Sequence, residues 1–376
     1  MATHLENARD LRSTIDDGVP AAPDEPTPAS VIEQIRDAGL YALMCTREVG
    51  GDECGVAECL DVFAELAYAD GSTGWCVMAS NSAAAYFSAW SPDSLVERVF
   101  GDGIPLIAGQ FAPNGVLSPD GSDWRCSGSY SFGSGLNDAQ WAGAGAFTEP
   151  PEGENPDFRF VIVPRDEIEV LGNWDVMGLR ATASWDYHLD DIAVPNDATF
   201  SFFDHPRLRG GPIYDLDVIP LTSIGHSAWA IGVVRRAIDE LRHTAVTRQR
   251  MTGSAPLGES EYFLIALAEA EASFEASCSW VYAAFGAAEA AAIAGTLTPQ
   301  LLLDTRMATT HVNQLGGRIV REVYNLGGTA ALRTGPLERC FRDIHAGTQH
   351  AVVSPAVSLE YATASMQRAA QHVRGE

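Results

Sequence analysis

The chain has 376 residues, of which 46% are hydrophobic, and its formal net charge at pH 7 is −26. This length accommodates two or three compact units with sizeable cores, and no window approaches the ~18 uninterrupted apolar residues of a membrane span. The acidic surface repels phosphate backbones and anionic lipids, which disfavours nucleic acid and membranes as partners.

The N-terminus and the cysteines indicate a reducing compartment. Residues 1–17 are charged and lack the apolar stretch of a secretory signal. The seven cysteines are scattered and form no Cys-x-x-Cys pair, which is typical of free thiols and not of a disulfide framework or a zinc site. The nine histidines show no metal-ligand spacing. We therefore expect a cytoplasmic protein without a metal.

The first segment, residues 1–103, is predicted to be an N-terminal helical domain. Leu60, Phe63, Ala64 and Ala67 follow the i, i+3, i+4, i+7 spacing of an amphipathic helix.

The second segment, residues 104–206, has the character of a β-domain. Gly, Pro, Asn and Asp recur between short apolar runs, and Trp185, Tyr187 and Leu189 alternate with polar residues. Alternation with a period of two predicts half-buried antiparallel strands. The expected structure is a small β-barrel or sandwich.

The third segment, residues 207–376, returns to helical patterns. We expect a buried helix over 260–293 and a final helix over about 337–368. Four long helices with short breaks predict a C-terminal four-helix bundle, giving an α+β, mostly α, fold of three parts. Apolar stripes at helical spacing mark two of the helices: Ile231, Val234, Ile238, Leu241 and Ala245, and then Ala308, Val312, Leu315, Ile319 and Val323.

This order of helices, β-domain and bundle resembles the acyl-CoA dehydrogenase superfamily, over about residues 30–370. The local similarities occur in the family's order. They lie in 38–51, 69–75, 174–184, 189–195 and 327–343. The family contains dehydrogenases that carry FAD, and oxygenase components that receive reduced flavin from a separate reductase.

The position of the dehydrogenase base argues against dehydrogenation. Many dehydrogenases carry a Glu six residues after a Gly-Gly pair, where it removes a proton from the acyl chain. Thr334 occupies that place after Gly327 and Gly328. Thr cannot serve as that base at neutral pH. Some family members place the Glu on an earlier helix, which leaves three stand-ins open, Glu259, Glu261 and Glu269.

The segment 109–115 lacks the acidic residue of the dehydrogenases and resembles the oxygenases more closely. The resemblance implies that Gln110 and Phe111 in this segment contact the flavin, and that Gly327 and Gly328 belong to the cofactor site.

The segment 339–350 ends in His350, where dehydrogenases commonly have Glu. On one continuous helix, Arg339, Asp343 and His350 would share a face, and an Arg–Asp–His line would tune the imidazole. Similar oxygenases use such a His in catalysis, which makes His350 and Asp343 the candidate catalytic pair. The alternative is an Arg339–Asp343 ion pair beside a structural His.

The segment 131–137 resembles the turn whose hydroxyl faces flavin N5. By this resemblance Ser134 takes that role, and Gly135 lets the backbone approach the ring. Trp75 would wall the flavin, and Arg248 would meet its phosphates from a neighbouring subunit. The alternatives are a plain hairpin turn, a core Trp and a solvated helix-end Arg.

The resemblance thus implies a reduced-flavin-dependent monooxygenase. Reduced FMN or FAD from a partner reductase would react with oxygen to a C4a-(hydro)peroxyflavin, which oxygenates an aromatic or small hydrophobic substrate. Relatives assemble as homotetramers through the bundle. Two other functions stay open: a dehydrogenase with a relocated Glu, and a non-catalytic bundle subunit.

Overall fold

The structure is a computed structural model that describes residues 2–20, 22, 25–150, 153–247 and 256–374. The chain divides into two compact units, each described by itself. Unit 1 comprises Met1–Gly55, Trp75–Val176 and Arg180–Val218, and unit 2 comprises Val56–Gly74, Met177–Leu179 and Ile219–Glu376.

Within the described ranges the chain forms eleven α-helices and seven strands. None of these helices combines the length and the apolar character needed to span a membrane. The helices are α1 (His4–Asp10), α2 (Arg12–Asp17), α3 (Ala29–Asp37), α4 (Val56–Ala69), α5 (Gly71–Trp90), α6 (Asp93–Phe100), α7 (Val218–Thr247), α8 (Glu261–Ile293), α9 (Pro299–Gly327), α10 (Pro336–Gly347) and α11 (Pro355–Arg374). The strands are β1 (Ile107–Asp120), β2 (Asp123–Gly133), β3 (Trp141–Thr148), β4 (Phe158–Pro164), β5 (Glu169–Val170), β6 (Trp185–Val194) and β7 (Thr199–Ser201).

All seven strands belong to unit 1 and form one sheet in the order β5-β6-β2-β1-β3-β4-β7. The pairing of β1 with β3 is parallel, and the other five pairings are antiparallel. Tyr187 and Leu189 of β6 are buried, as the alternation predicted. The predicted β-structure of this segment is therefore confirmed, and it forms a single seven-stranded sheet.

An aromatic cluster forms much of the core of unit 1. Phe111 of β1 stacks on Phe160 of β4, with ring centroids 4.6 Å apart. Tyr86 and Phe87 of α5 pack against the ring of Phe111 at 5.9 and 6.0 Å. Such packing fixes one helix against the sheet, since aromatic pairs at these distances add to the area they bury.

Unit 2 is helical, and its apolar stripes are buried as predicted. Every residue of the stripe on α7 is buried, as are Ala308, Val312, Ile319 and Val323 on α9. A close approach of α7 to α4 depends on Gly232, where a Cβ atom would lie 2.3 Å from the carbonyl oxygen of Ala64.

Two helix predictions need correction. The final helix is not continuous, because α10 ends at Gly347 and α11 begins at Pro355. Gly347 packs so closely on Trp229 that a Cβ atom would lie 2.2 Å from the indole ring. The helix α8 is not buried on all sides either, since several large apolar side chains on it are exposed. The boundaries at residues 103 and 206 separate kinds of secondary structure, and as domain boundaries they stay a prediction.

Candidate active site

The turn after β2 in unit 1 presents Ser134. The strand ends at Gly133, and the N–H of Ser134 donates to the carbonyl of Phe132 at 2.8 Å. Gly135 follows with φ +81°, a left-handed conformation that favours glycine. A Cβ atom at Gly135 would meet only the side chain of Cys76, at 3.8 Å, so the backbone there is open to close approach.

The Ser134 hydroxyl lies in a chain of hydrogen bonds with Trp75. The indole Nε1–H of Trp75 donates to Ser134 Oγ at 3.2 Å. Ser134 Oγ lies 2.7 Å from Ser184 Oγ, which lies 2.6 Å from Thr182 Oγ1. The structure therefore brings Trp75 and Ser134 together, and it adds two hydroxyl groups that the sequence did not reveal.

Ser134 and Gly135 line a small pocket in unit 1, together with Tyr41 and Asp138 among other residues. Burial raises the pKa of the Tyr41 hydroxyl, which is therefore un-ionised at neutral pH. Burial also raises the pKa of Asp138.

Gln110 supports this turn from the neighbouring strand. Its side-chain oxygen accepts from the N–H of Ser131 at 3.3 Å and from Nδ2 of Asn114 at 2.8 Å. Its own N–H donates to the hydroxyl of Tyr187 at 2.7 Å. Phe111, by contrast, packs into the aromatic cluster, and its predicted contact with flavin stays a prediction.

In unit 2, Asp343 is a buried acceptor. Its Oδ1 accepts from the N–H of Leu179 at 2.6 Å, and a Cβ atom at Gly71 would lie 2.7 Å from its Oδ2. Burial, and then the charge of Asp70, raises the pKa of Asp343 to about 7. Arg339 lies 4.0 Å from Asp70, with which it forms an ion pair.

His350 lies beyond the end of α10, at the start of a short 3-10 turn. Its Nδ1 accepts from the N–H of Val352 at 3.3 Å, and its ring centroid is 4.3 Å from that of His226. The predicted helix face shared by Asp343 and His350 is therefore wrong, because the helix ends at Gly347. Although the His350 side chain is exposed to solvent, the surrounding protein atoms lower its pKa well below the ordinary value, and the charge of His226 adds to this.

The remaining predicted residues are spread over unit 2. Gly327 ends α9, and Gly328 follows with φ +55°. Arg248 lies outside the described residues. Thr334 is exposed, and so are the three candidate bases, Glu259, Glu261 and Glu269.

Comparison with known proteins identifies the class. The model of the acyl-CoA dehydrogenase N-terminal domain matches residues 10–99, and that of the C-terminal domain matches residues 224–355. Together these matches span more than half of the chain. The chain belongs to the acyl-CoA dehydrogenase superfamily.

Its relatives are flavin-dependent monooxygenases. Indole-3-acetate monooxygenase from Pseudomonas putida is 27% identical over 326 residues, which cover 85% of this chain and 82% of the relative. The oxygenase component of FADH(2)-dependent resorcinol hydroxylase from Rhizobium sp. is 28% identical over 345 residues, with 86% and 83% covered. The solved structure of XiaF from Streptomyces sp. in complex with FADH2 and glycerol superimposes with a TM-score of 0.88 at 24% identity, covering 97% of this chain and 95% of that one. Within the superfamily, the chain is therefore an oxidoreductase of the flavin-dependent monooxygenase class.

The buried carboxyl group of Asp343 gives a stability prediction. Its folded pKa of about 7 exceeds the ~3.9 of an unfolded Asp, so the folded state binds the extra proton between these values. The stabilisation is complete below about pH 4 and is lost as the pH rises towards 7. Asp343→Asn keeps an acceptor oxygen without this titration. Its free energy of unfolding should therefore rise relative to that of the wild type by on the order of 1 kcal/mol per pH unit between pH 5 and about 7, and its melting temperature should rise with it.

Thermal denaturation at a series of pH values measures this difference, with the exposed Asp190→Asn as the control. A difference between Asp343→Asn and the wild type that does not change with pH would contradict the assignment.

Proposed function

We propose that this chain is the oxygenase component of a two-component system, and that it oxygenates an aromatic or small hydrophobic substrate with reduced FMN or FAD delivered by a partner reductase. The observation that carries the proposal is the hydroxyl of Ser134, which lies at an open glycine turn and is hydrogen-bonded to Trp75. Two relatives are named for indole-3-acetate and resorcinol, and both names support an aromatic substrate.

The turn at Ser134 fits the edge of a flavin. An indole N–H can only donate, so Ser134 Oγ accepts from Trp75 and keeps its own hydrogen for Ser184 or for a bound group. A hydroxyl both donates and accepts, so it can hydrogen-bond a ring nitrogen in either redox state. Reduced flavin, when bound, supplies the electrons that activate molecular oxygen.

His350 supplies the imidazole that holds or moves a proton at the substrate. Its lowered pKa keeps the ring neutral at pH 7, which is the form that can exchange a proton with a phenol or an indole. Asp343 stays a proposed member of the site, as the buried group that fixes the loop at Leu179 against α10. Gly327, Gly328 and Arg248 are proposed flavin contacts on the resemblance alone.

The dehydrogenase alternative is less well supported. Its chemistry needs a carboxylate poised in an apolar pocket, whereas the three candidate glutamates are exposed. A non-catalytic subunit would have no use for the hydroxyl chain beside Trp75. The seven cysteines are free thiols, which fits the cytoplasm, where a reductase would meet NAD(P)H.

Isotope-labelled oxygen tests the proposed function. The purified chain, a flavin reductase, NADH and FMN or FAD are mixed under ¹⁸O₂ with indole-3-acetate or resorcinol as probe substrates. We expect one ¹⁸O atom in the product, only when the reductase is present. Reduction of a dye by an acyl-CoA would instead indicate the dehydrogenase, and failure to bind flavin in either redox state would indicate the non-catalytic subunit.

Two variants assign the residues in the same assay. His350→Asn should lower product formation by about 100-fold or more, while NADH oxidation continues and hydrogen peroxide accumulates. Ser134→Ala should also divert oxygen to hydrogen peroxide. The matched controls are His345→Asn on α10 and Ser129→Ala on β2, whose hydroxyl lies 2.9 Å from His188 Nδ1. Equal losses in the variants and their controls would refute the assignment.

A homotetramer is proposed from the exposed apolar surface of unit 2, since large apolar patches on a single chain indicate a partner surface. Sedimentation velocity should give the mass of four chains, and Leu264→Glu should reduce it, whereas Phe203→Glu in unit 1 should not. A monomeric wild type would contradict the proposal. The exposed side chains are Tyr262, Leu264, Ile265 and Ile293 on α8, and Leu359, Met366 and Val373 on α11.

A further inference from the structure

His226 on α7 is a buried imidazole with a defined tautomer. Its Nδ1 lies 3.0 Å from the carbonyl oxygen of Thr222, one turn earlier on the same helix. A carbonyl oxygen can only accept, so the hydrogen of the neutral ring lies on Nδ1 and the lone pair lies on Nε2. Burial lowers the pKa of His226 to about 4, so the ring is neutral at pH 7.

His350 has the opposite tautomer. The backbone N–H of Val352 donates to its Nδ1, so the hydrogen of the neutral ring lies on Nε2. The two rings lie 4.3 Å apart between centroids and are inclined by 36°. One ring of this close pair therefore carries a donor Nε2 and the other carries an acceptor Nε2.

The position of His226 is fixed by α9. The side-chain amide of Asn313 donates to the carbonyl of His226 at 3.2 Å and to that of Thr309 at 2.9 Å, which ties the two helices together. Gln314 of the same helix donates to the carbonyl of Val353, beside the turn that carries His350. These side chains of α9 are uncharged, so the pair meets polar but neutral groups from that helix.

We propose that His226 is a positioning residue for His350, which it holds as a neutral imidazole with the hydrogen on Nε2. His350 then begins the reaction as a hydrogen-bond donor at Nε2. This inference deepens the proposed function, on which the catalytic part of His350 rests.

Histidine NMR on the protein without flavin or substrate tests the positioning role. The chain is labelled with ¹⁵N and ¹³C in histidine, and the signal that His350→Asn removes is assigned to His350. The wild type should show His350 as the Nε2–H tautomer at pH 7, with a pKa well below that of a free imidazole. The other tautomer in the wild type would overturn the proposal, and this outcome requires no further variant.

Variants of His226 distinguish the effect of its Nε2 atom from the effect of the size of its ring. His226→Phe keeps a ring but loses the acceptor Nε2, so the tautomer of His350 should no longer be uniform. His226→Gln offers an amide oxygen as the acceptor and should restore the Nε2–H form. His311→Phe, which alters another bundle histidine that packs on a Trp ring at 5.3 Å, is the matched control.

An unchanged His350 tautomer in His226→Phe, or an equal change in His311→Phe, would overturn the positioning role. Because no flavin, substrate or turnover enters this readout, such a result leaves the proposed function standing. Failure of ¹⁸O incorporation in the wild type, in contrast, refutes the function and not the positioning.

Discussion

The hydrogen bond from Trp75 to Ser134 is the interaction on which the candidate site of unit 1 depends. Trp75 is the first residue of α5 that belongs to unit 1, and the bond joins it to the turn after β2, 59 positions later in the sequence. Because the indole N–H can only donate, Ser134 Oγ is the acceptor in this bond. One lone pair of the oxygen is then occupied, and the hydroxyl hydrogen remains available for another partner. Ser184 and Thr182 extend the chain of hydroxyls, and Gln110 holds the strand that leads into the turn. A site built on hydroxyl groups suits a cofactor that brings its own electrons, since the protein then has to orient it and to handle protons.

In unit 2 the protein surroundings raise the pKa of Asp343 and lower that of His350. Asp343 is placed against the N–H of Leu179 and near a second carboxylate, so its pKa is raised to about 7 and it acts as an acceptor in the fold. His350 accepts a hydrogen bond within the turn that follows α10, and its ring lies against that of His226. The end of α10 thus carries a neutral imidazole, whereas a dehydrogenase needs a carboxylate at its site. This difference in proton chemistry agrees with relatives that are monooxygenases.

The parts of the fold that repeat with a regular period could be predicted from the sequence. The stripe on α7 and the alternation in β6 follow directly from which residues a helix or strand must bury. The break between α10 and α11 was missed, although Pro355 disfavours helical structure at the residue before it. At this break, Gly347 packs closely on Trp229. The two residues are far apart in the sequence, so no local pattern predicts the contact.

The same limit applies to the site. Ser134 and Trp75 were found by resemblance to a family, but their hydrogen bond and the part of Ser184 depend on contacts between distant residues. His226 carried no signal at all, because a single histidine in an apolar helix is normally a core residue. The exposed apolar residues of α8 show a related difficulty. A helix that is apolar on most sides is predicted to be buried, but its sequence does not tell whether the residues that pack on it belong to the same chain or to another chain.

The central claim is that the Ser134 hydroxyl binds reduced flavin, and an anaerobic titration measures this most directly. Reduced FMN or FAD is added to the wild type, to Ser134→Ala and to Ser129→Ala, and the quenching of tryptophan fluorescence gives each Kd. The account predicts that Ser134→Ala weakens binding by about fivefold or more, the worth of one hydrogen bond, while Ser129→Ala binds as the wild type does. Equal affinity of Ser134→Ala and the wild type for reduced flavin would contradict it.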